Sequence, residues 1–441
     1  MTRAYLIQVF TLVATLGWPH SITAQSKESP VAAAAARVAP QMVEYRHMIH
    51  RHPELGNREV KTAELVAKHL RSLGLEVQTG IAHTGVVGLL RGKRPGPTVA
   101  VRADMDALPV TEATDLPFRS TDKAVWLGRE TGVAHACGHD LHVAIQLGVA
   151  SLLSGMRDTL AGTVMFIFQP AEEGVPPGER GGAKMMVEEG VFSKVKPDAV
   201  IGLHVNGSAP DDIGDYERLG VAAYTPGPAM ASSTRFRATI QGRQSHGAAP
   251  HTSIDPVVVA SEIVLALQTI RSRNLPPLTP SVVTVGIIRG GNRNNIIPAE
   301  VELEGTIRSF ETPVQDTIET RMREIFEGIT RAYRAKFTLE FDRTHPVTVN
   351  DTLLTARLVP TLERVLGRSN VQRRQPITGA EDFSYFAREV PGFFFHLGAV
   401  PVGRKSGGHH TPTFYADDGA IPIGIRAMTS LVLDFLATPK S

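Results

Sequence analysis

A chain of 441 residues, 42% hydrophobic and 20% charged, has the composition of an ordinary globular protein and the length for more than one domain. Its 46 basic and 44 acidic residues leave a formal charge of +2, which gives no electrostatic reason to expect nucleic acid or a membrane surface as partner. The single cysteine, Cys137, excludes an intrachain disulfide.

The chain opens as a targeting segment. Arg3 precedes a mostly apolar run, Ala4 to Trp18, which Pro19 and His20 break, and Ser21-Ile22-Thr23-Ala24 offers a cleavage site. The run has the length of a signal-peptide core and is short for a span of roughly 20 residues. Residues 1–24 are therefore expected to be a signal peptide, with an uncleaved anchor as the alternative, and the mature protein to be periplasmic or secreted and free of the membrane. No other stretch reads as apolar enough to cross a bilayer. In an oxidising compartment a lone thiol is buried, linked to a second chain, or held by something such as a metal.

Val31 to Ala36 is alanine-rich, a tether or the start of the first helix. Pro40 to Leu73 carries a helical pattern, with Gly74 as its cap. Glu76-Val77 opens an extended segment, and Val86 to Arg91 and Thr98 to Arg102 are apolar strands. Val143 to Leu153 is a buried helix, Thr163 to Phe168 a strand, Lys184 to Glu189 a short helix, and Ala199 to Leu203 a strand running into His204. Strands alternating with helices predict an α/β fold with a mainly parallel sheet. After Pro226-Gly227-Pro228 the texture changes. Phe236 to Ile240 alternates as a strand, Asp255 to Arg271 is a helix, and strands follow around Val283 and Val301. Pro313 to Tyr333 is a long helix and Lys336 to Phe341 a last strand. The order β-α-β-β-α-β predicts an inserted ferredoxin-like α+β domain. The expected bounds are 35–226 and 346–438 for the two parts of the catalytic domain, and 229–343 for the insertion.

The densest chemistry lies in His135-Ala136-Cys137-Gly138-His139-Asp140-Leu141-His142. Cys137 and His139 are two apart, a spacing that puts both side chains on one side of extended chain. Thiolate with imidazole suits zinc and other late transition metals, and Asp140 or a nearby aspartate is placed to orient an imidazole. Glu172 and Glu173 follow directly on a buried strand, where open α/β sheets place ligands. Adjacent side chains point apart, so one carboxylate would bind metal while the other faces substrate as general base. His204 ends a third strand, and His409-His410 sits in a glycine-rich loop. In the insertion, His246 and Asn295 are candidate donors to an oxyanion, and Arg308 a fork for a carboxylate. The sequence carries no HExxH, no nucleophile elbow, no P-loop and no dinucleotide fingerprint.

Together these motifs resemble the dinuclear metallohydrolase family of aminoacylases and carboxypeptidase G, in the branch of hippurate hydrolases and plant hydrolases of indole-acetyl amino acids. The matching blocks, in the family's order, are Arg102 to Pro109, Cys137 to Asp140, Phe168 to Glu173, His246 to His251, Gly379 to Phe383 and His410 to Pro412. The resemblance implies that Cys137, His139, Glu173, His204 and His410 bind two divalent ions (zinc, manganese, cobalt or nickel), with His409 as the ligand should the match slip by one. It implies Glu172 as the general base acting on a metal-bridging water, and His246 as an oxyanion donor, often across a dimer interface. Asn295 and Arg308 would contact substrate, and the insertion would serve as lid and dimerisation domain. The wider family has a histidine and an aspartate where this chain has Asp104 and Asp106, which places these two behind the ligands. The function expected is hydrolysis of N-acyl amino acids or similar small amides. A dipeptidase or carboxypeptidase with the same centre, and an exported metal- or solute-binding protein without catalysis, are the alternatives. A binder would have no need of Glu172.

Overall fold

The computed structural model describes residues 29–207 and 216–437; the expected signal segment, 1–24, lies outside them. Helix α1 (Pro30–Arg51) starts behind Ser29, whose side chain accepts the Ala32 N–H, with Pro30 in the first helical position. The alanine run is thus the opening of a helix. Helix α2 spans Val60–Ser72. The single helical pattern from Pro40 to Leu73 is therefore two helices, because Pro53 disfavours helical backbone at His52 and ends the first.

The strands β1 (Glu76–Ile81), β2 (Gly85–Arg91) and β3 (Arg94–Asp104) follow, then a hairpin of β4 (Lys123–Trp126) and β5 (Arg129–Gly132) that the sequence pattern did not announce. Helix α3 (His139–Ser154), β6 (Ala161–Gln169), α4 (Gly182–Glu188), β7 (Ala199–Asn206), β8 (Ala222–Tyr224) and β9 (Gly227–Met230) complete this half. The second unit holds β10 (Ser233–Gln241), β11 (Ser245–His246), α5 (Pro256–Thr269), β12 (Ser281–Gly290), β13 (Ile296–Ile297), β14 (Glu300–Ser309), α6 (Thr312–Tyr333) and β15 (Lys336–His345). The chain then returns through β16 (Thr348–Asn350), α7 (Thr352–Leu366), β17 (Val371–Arg373), α8 (Phe383–Glu389), β18 (Gly392–Gly398) and α9 (Ala420–Ala437).

Eight strands form the main sheet in the order β1-β2-β6-β3-β7-β18-β8-β17. Its centre, β6-β3-β7-β18, is parallel, and β1-β2-β6 and β18-β8 are antiparallel. The central strands are buried on both faces, as their continuous apolar runs require. Helices α1, α3, α7 and α9 pack over one face with Val101, Phe166 and Leu203, and α4 and α8 over the other with Ile167, Val200 and Phe394. Helix α9 is long and apolar enough to cross a membrane, against the reading that no such stretch follows the N-terminus. Two thirds of it is buried against α1, α3 and α7, which makes it a core helix.

The second unit is a four-stranded antiparallel sheet, β12-β14-β10-β15, covered by α5 and α6 with its own core around Phe236, Ile263 and Phe326. That strand order is the ferredoxin-like one. Two chain crossings, 225–232 and 343–350, join the units. The expected linker at Pro226-Gly227-Pro228 is part of one of them and forms a strand, β9, which pairs with β16.

A buried ionic cluster ties α1 to the loop after β18. Arg46 donates to Asp140 at 2.9 Å, to Asp418 at 2.7 Å and to the Ala416 carbonyl at 2.7 Å. His50 meets the same Asp140 at 2.9 Å and Glu112 at 3.2 Å. Burial opposes a charge on His50, but Asp140 and Glu112 outweigh it and push its pKa up to about 9. A pKa raised by folding contributes stability that is complete below the unfolded value of ~6.5 and fades as pH rises through about 9. The difference in melting temperature between the native protein and His50→Gln is therefore expected to be largest below about pH 6.5 and to shrink as pH rises toward 9. A difference constant from pH 6 to 10 would refute a charged His50.

Candidate metal centre

The carboxyl ends of β3, β6 and β7 and the start of α3 deliver their side chains to one place, as the open-sheet rule requires. Gly138 is the key to the local path. It sits at φ 88°, in the left-handed region, and turns the chain into α3 with His139 as the first helical residue. A Cβ here would lie 2.3 Å from Val205 Cγ2. Cys137 and His139 thus share a side through a glycine turn and not through the extended segment their spacing suggests.

Four potential ligands come together around the thiol. Cys137 Sγ lies 3.4 Å from His204 Nε2, and the donor atoms of Cys137, His139 and His204 all fall within 4.8 Å of one another. So do those of Cys137, Glu173 and His410, and those of His139, Glu172 and Glu173. Glu173 Oε1 is shared, at 3.0 Å from His410 Nε2 and 3.8 Å from His139 Nε2. Yet Glu173 Oε1 and both ring nitrogens of His139 are buried without an aligned hydrogen bond. Buried polar atoms that converge without bonding to each other are costly unless a further group satisfies them, and cations satisfy all of them at once. Sulfur, imidazole and carboxylate are the donors of a transition-metal site, and three overlapping triads offer room for two ions.

The residues behind the donors set their orientation. His204 Nδ1 donates to the Val205 carbonyl at 2.7 Å, which leaves Nε2 free toward the thiol. Asp106 Oδ1 stands 3.3 Å from His139 Nδ1, while its Oδ2 accepts the Glu173 N–H at 2.9 Å, so one carboxylate braces two ligands. Asp104 meets His142 Nδ1 at 2.5 Å, and His142 Nε2 accepts the Val205 N–H. Asp140 instead serves Arg46 and His50, so the aspartate that braces His139 is Asp106. His409 also reaches the thiol, at 3.4 Å through Nδ1. Its Nε2 accepts the Gly207 N–H, which puts the ring proton on Nδ1 and makes His409 a donor to sulfur. His410, at φ 63°, is the histidine that faces Glu173.

The two adjacent glutamates are driven apart electrostatically. Burial, then Glu381, Glu173 and Asp382, push the Glu172 carboxyl well above its ordinary range. Burial also opposes the charge of Glu173, but His410 and His139 prevail and hold it below that range. Burial and the nearby glutamates push the Cys137 thiol well up, so a neighbouring cation is what makes a thiolate possible here. Burial keeps His204 neutral, the form that ligates. Glu59, fully buried, accepts the Ala171 N–H at 2.8 Å and anchors the turn, with Ala171 at φ 52°, that presents both glutamates.

Cys137, Glu172, Glu173, His204 and His410 line a cavity of about 450 Å³ together with Arg308, Ser233 and His345 from the second unit. Arg308 is half-buried and has no ion-pair partner among the described residues. His246 and Asn295 lie elsewhere. Ser245-His246 pairs with Ile296-Ile297 in a two-stranded ribbon, and His246 and Asn295 are exposed, neither of them on the cavity wall. Sequence reasoning did not single out His345, His396 or Arg374, which also line the cavity and stand outside any recognisable pattern.

A parallel sheet, an inserted ferredoxin-like unit and a carboxylate beside two overlapping sets of metal donors define a metal-dependent hydrolytic enzyme. Comparison with known proteins agrees, and the chain belongs to the peptidase family M20/M25/M40, whose model matches residues 100–434. It is 40% identical over 399 residues to thermostable carboxypeptidase 2 of Saccharolobus solfataricus, covering 89% of this chain and 95% of that one. It is 36% identical over 404 residues to the IAA-amino acid hydrolase ILR1-like 2 of Arabidopsis thaliana, covering 91% and 86%. Among solved structures it is similar to the YXEP protein of Bacillus subtilis, described as a dinuclear metal binding peptidase of the M20 family. The TM-score is 0.74 at 31% identity, over 91% of this chain and 99% of that one.

Proposed function

We propose that this enzyme hydrolyses the amide bond of N-acyl amino acids, with Glu172 as general base and Cys137, His139, Glu173, His204 and His410 as the ligands of two divalent ions. The observation that carries this reading is the position of Glu172: half-buried on the cavity wall, beside the ligand Glu173, and within 4.8 Å of donors on both Glu173 and His139. Bound there, zinc, manganese, cobalt or nickel would supply the charge that polarises a carbonyl and acidifies water. Glu172 takes a proton from the attacking water and returns it to the departing amine, a task suited to a carboxyl whose affinity for protons is raised. Arg308 grips the substrate carboxylate, and Asp106 and His142 hold the ligands in place. The relative named an IAA-amino acid hydrolase supports an acyl-amino acid substrate, and the one named a carboxypeptidase keeps peptides as the second reading.

His246 and Asn295 act on this reading from the second copy of a homodimer. Support comes from their exposure and from exposed apolar side chains on the same unit: Val257, Val258 and Leu265 on α5, and Ile288 on the edge strand β12. Export to the periplasm or beyond rests on the N-terminal segment 1–24. A screen of N-acetyl and N-benzoyl amino acids beside free dipeptides, each with defined metals, tests the activity; hydrolysis of none of them with any metal would refute it. Cys137→Ser is expected to weaken metal binding by more than the about 10–100-fold that loss of a bracing residue costs. Unchanged occupancy by elemental analysis would remove Cys137 from the ligand set.

A further inference from the structure

Glu172 is the middle residue of a short segment that two other carboxyl groups hold, one at each end. Glu59 Oε1 accepts the Ala171 N–H at 2.8 Å, and Asp106 Oδ2 accepts the Glu173 N–H at 2.9 Å. Asp106 also stands 3.3 Å from His139 Nδ1, so it serves the ligands. Glu59 bonds instead to Ala171, Asn57 and Thr84. We propose that Glu59, on the 54–59 segment that carries it, is the positioning residue of the general base: it fixes where Glu172 points without contributing to metal binding. This rests on the reading of Glu172 as the base.

The need for an anchor is visible in the backbone. Ala171 is buried and sits at φ 52°, in the left-handed region that favours glycine. A residue persists there only where its surroundings hold it. The bond from the Ala171 N–H to Glu59 is that hold. Without it the N–H is buried and unpaired, the torsion is free to relax, and Glu172, one residue on, turns with it.

The anchor itself is rigid. Glu59 is fully buried, and its two oxygens are occupied from three segments. Besides Ala171, Oε1 accepts the Asn57 N–H at 3.1 Å, and Oε2 meets the Thr84 hydroxyl at 2.5 Å. The Glu54 carbonyl accepts the Ala107 N–H at 2.8 Å, one residue past Asp106. Asn57 Nδ2 donates to the Arg180 carbonyl at 3.0 Å, on the far side of the glutamates. The 54–59 segment thus ties the Asp106 side of the site to the glutamate loop. The fit leaves no slack at Gly56, where a Cβ would lie 2.1 Å from the Gly174 carbonyl oxygen and 3.1 Å from Ala171 Cβ.

The hold does not require a charge. Burial, then Asp106, push the Glu59 carboxyl above its ordinary range. Glutamine offers the same carbonyl oxygen to both N–H groups and its amide nitrogen to the Thr84 oxygen. Glu59→Gln is therefore the conservative replacement, and Glu59→Leu removes both acceptors at similar size.

The tests are kcat, KM and metal content with N-acetyl and N-benzoyl amino acids, and amide hydrogen exchange of the 169–175 peptide in the same proteins. Glu59→Leu is expected to lower kcat by about 10²-fold, the cost of a displacement of about 1 Å at the reacting groups, with KM and metal content unchanged. Its exchange should quicken in the 169–175 peptide and stay native across β3 and β7. Glu59→Gln should restore both kcat and slow exchange. Gly56→Ala pushes the Gly174 carbonyl while leaving every group that bonds to Glu59 in place. It should also lower kcat, and it carries the test should Glu59→Leu not fold. Native kcat in Glu59→Leu or Gly56→Ala, a Glu59→Gln as slow as Glu59→Leu, or loss of metal in step with kcat would overturn the proposal while Glu172 stands as base. Full activity in Glu172→Gln, or no hydrolysis by the native enzyme, would overturn the reading beneath it, and this one as well.

Discussion

Glu172→Gln is expected to lower kcat by about 10²–10⁴-fold while the protein keeps its fold and its metal. Glutamine has the same shape and retains a carbonyl oxygen, so the cavity wall at Glu172 is preserved. What it loses is the capacity to take a proton. The native carboxyl is half-buried, and its partial burial and then Glu381, Glu173 and Asp382 beside it all disfavour its charge. The neutral amide relieves that repulsion, so the melting temperature should hold or rise. Loss of turnover with intact metal content and an unchanged or higher melting temperature is the signature of a base. The measurements are steady-state rates, elemental analysis and a thermal scan on one preparation. A variant that hydrolyses amides normally would sink the role of Glu172. One that loses its metal would make Glu172 a ligand, which its closeness to His139 and Glu173 allows geometrically.

The sequence made the ends of the strands readable and little of what holds them. Each of Thr98–Arg102, Thr163–Phe168 and Ala199–Leu203 is largely apolar because it is buried on both faces, and each is followed within two residues by a polar side chain, so the end of the sheet where the candidate donors gather was readable from local pattern, while the ligand set came from the resemblance. The ferredoxin-like unit was readable because its strands alternate and its helices carry one apolar stripe. The support of the site was not. Arg46 reaches residues 94 and 370–372 positions away, and Arg102 reaches 279 and 280 positions, distances at which no periodicity survives. The break between α1 and α2 hides inside a pattern that continues on both sides. The choice between His409 and His410 turns on a backbone torsion and on which ring nitrogen accepts the Gly207 N–H, neither of which composition records.

Arg102 is the residue whose loss should cost the most stability. Its guanidinium is fully buried beneath the glutamate turn and donates to Asp104 at 2.7 Å, Gln169 at 2.8 Å, Glu381 at 2.8 Å and Asp382 at 3.0 Å. Three carboxylates from two distant segments are thereby held around one cation. Arg102→Met fills much of the volume but leaves those carboxylates without their counter-charge, and breaking such a buried pair costs about 3–5 kcal/mol. Arg102→Lys keeps one positive charge but cannot serve four acceptors in a plane, so it should fall between. The same change should reach the reaction. Asp104 positions His142, which receives the Val205 N–H beside His204, and Glu381 borders Glu172, so freeing either disturbs both sides of the metal centre. Urea unfolding and metal content together distinguish the outcomes. A stability loss in Arg102→Met below about 1 kcal/mol, the scale of an exposed ion pair, would mean that water or relaxation replaces the guanidinium. The hub would then be an accessory to the fold and not its keystone at the site.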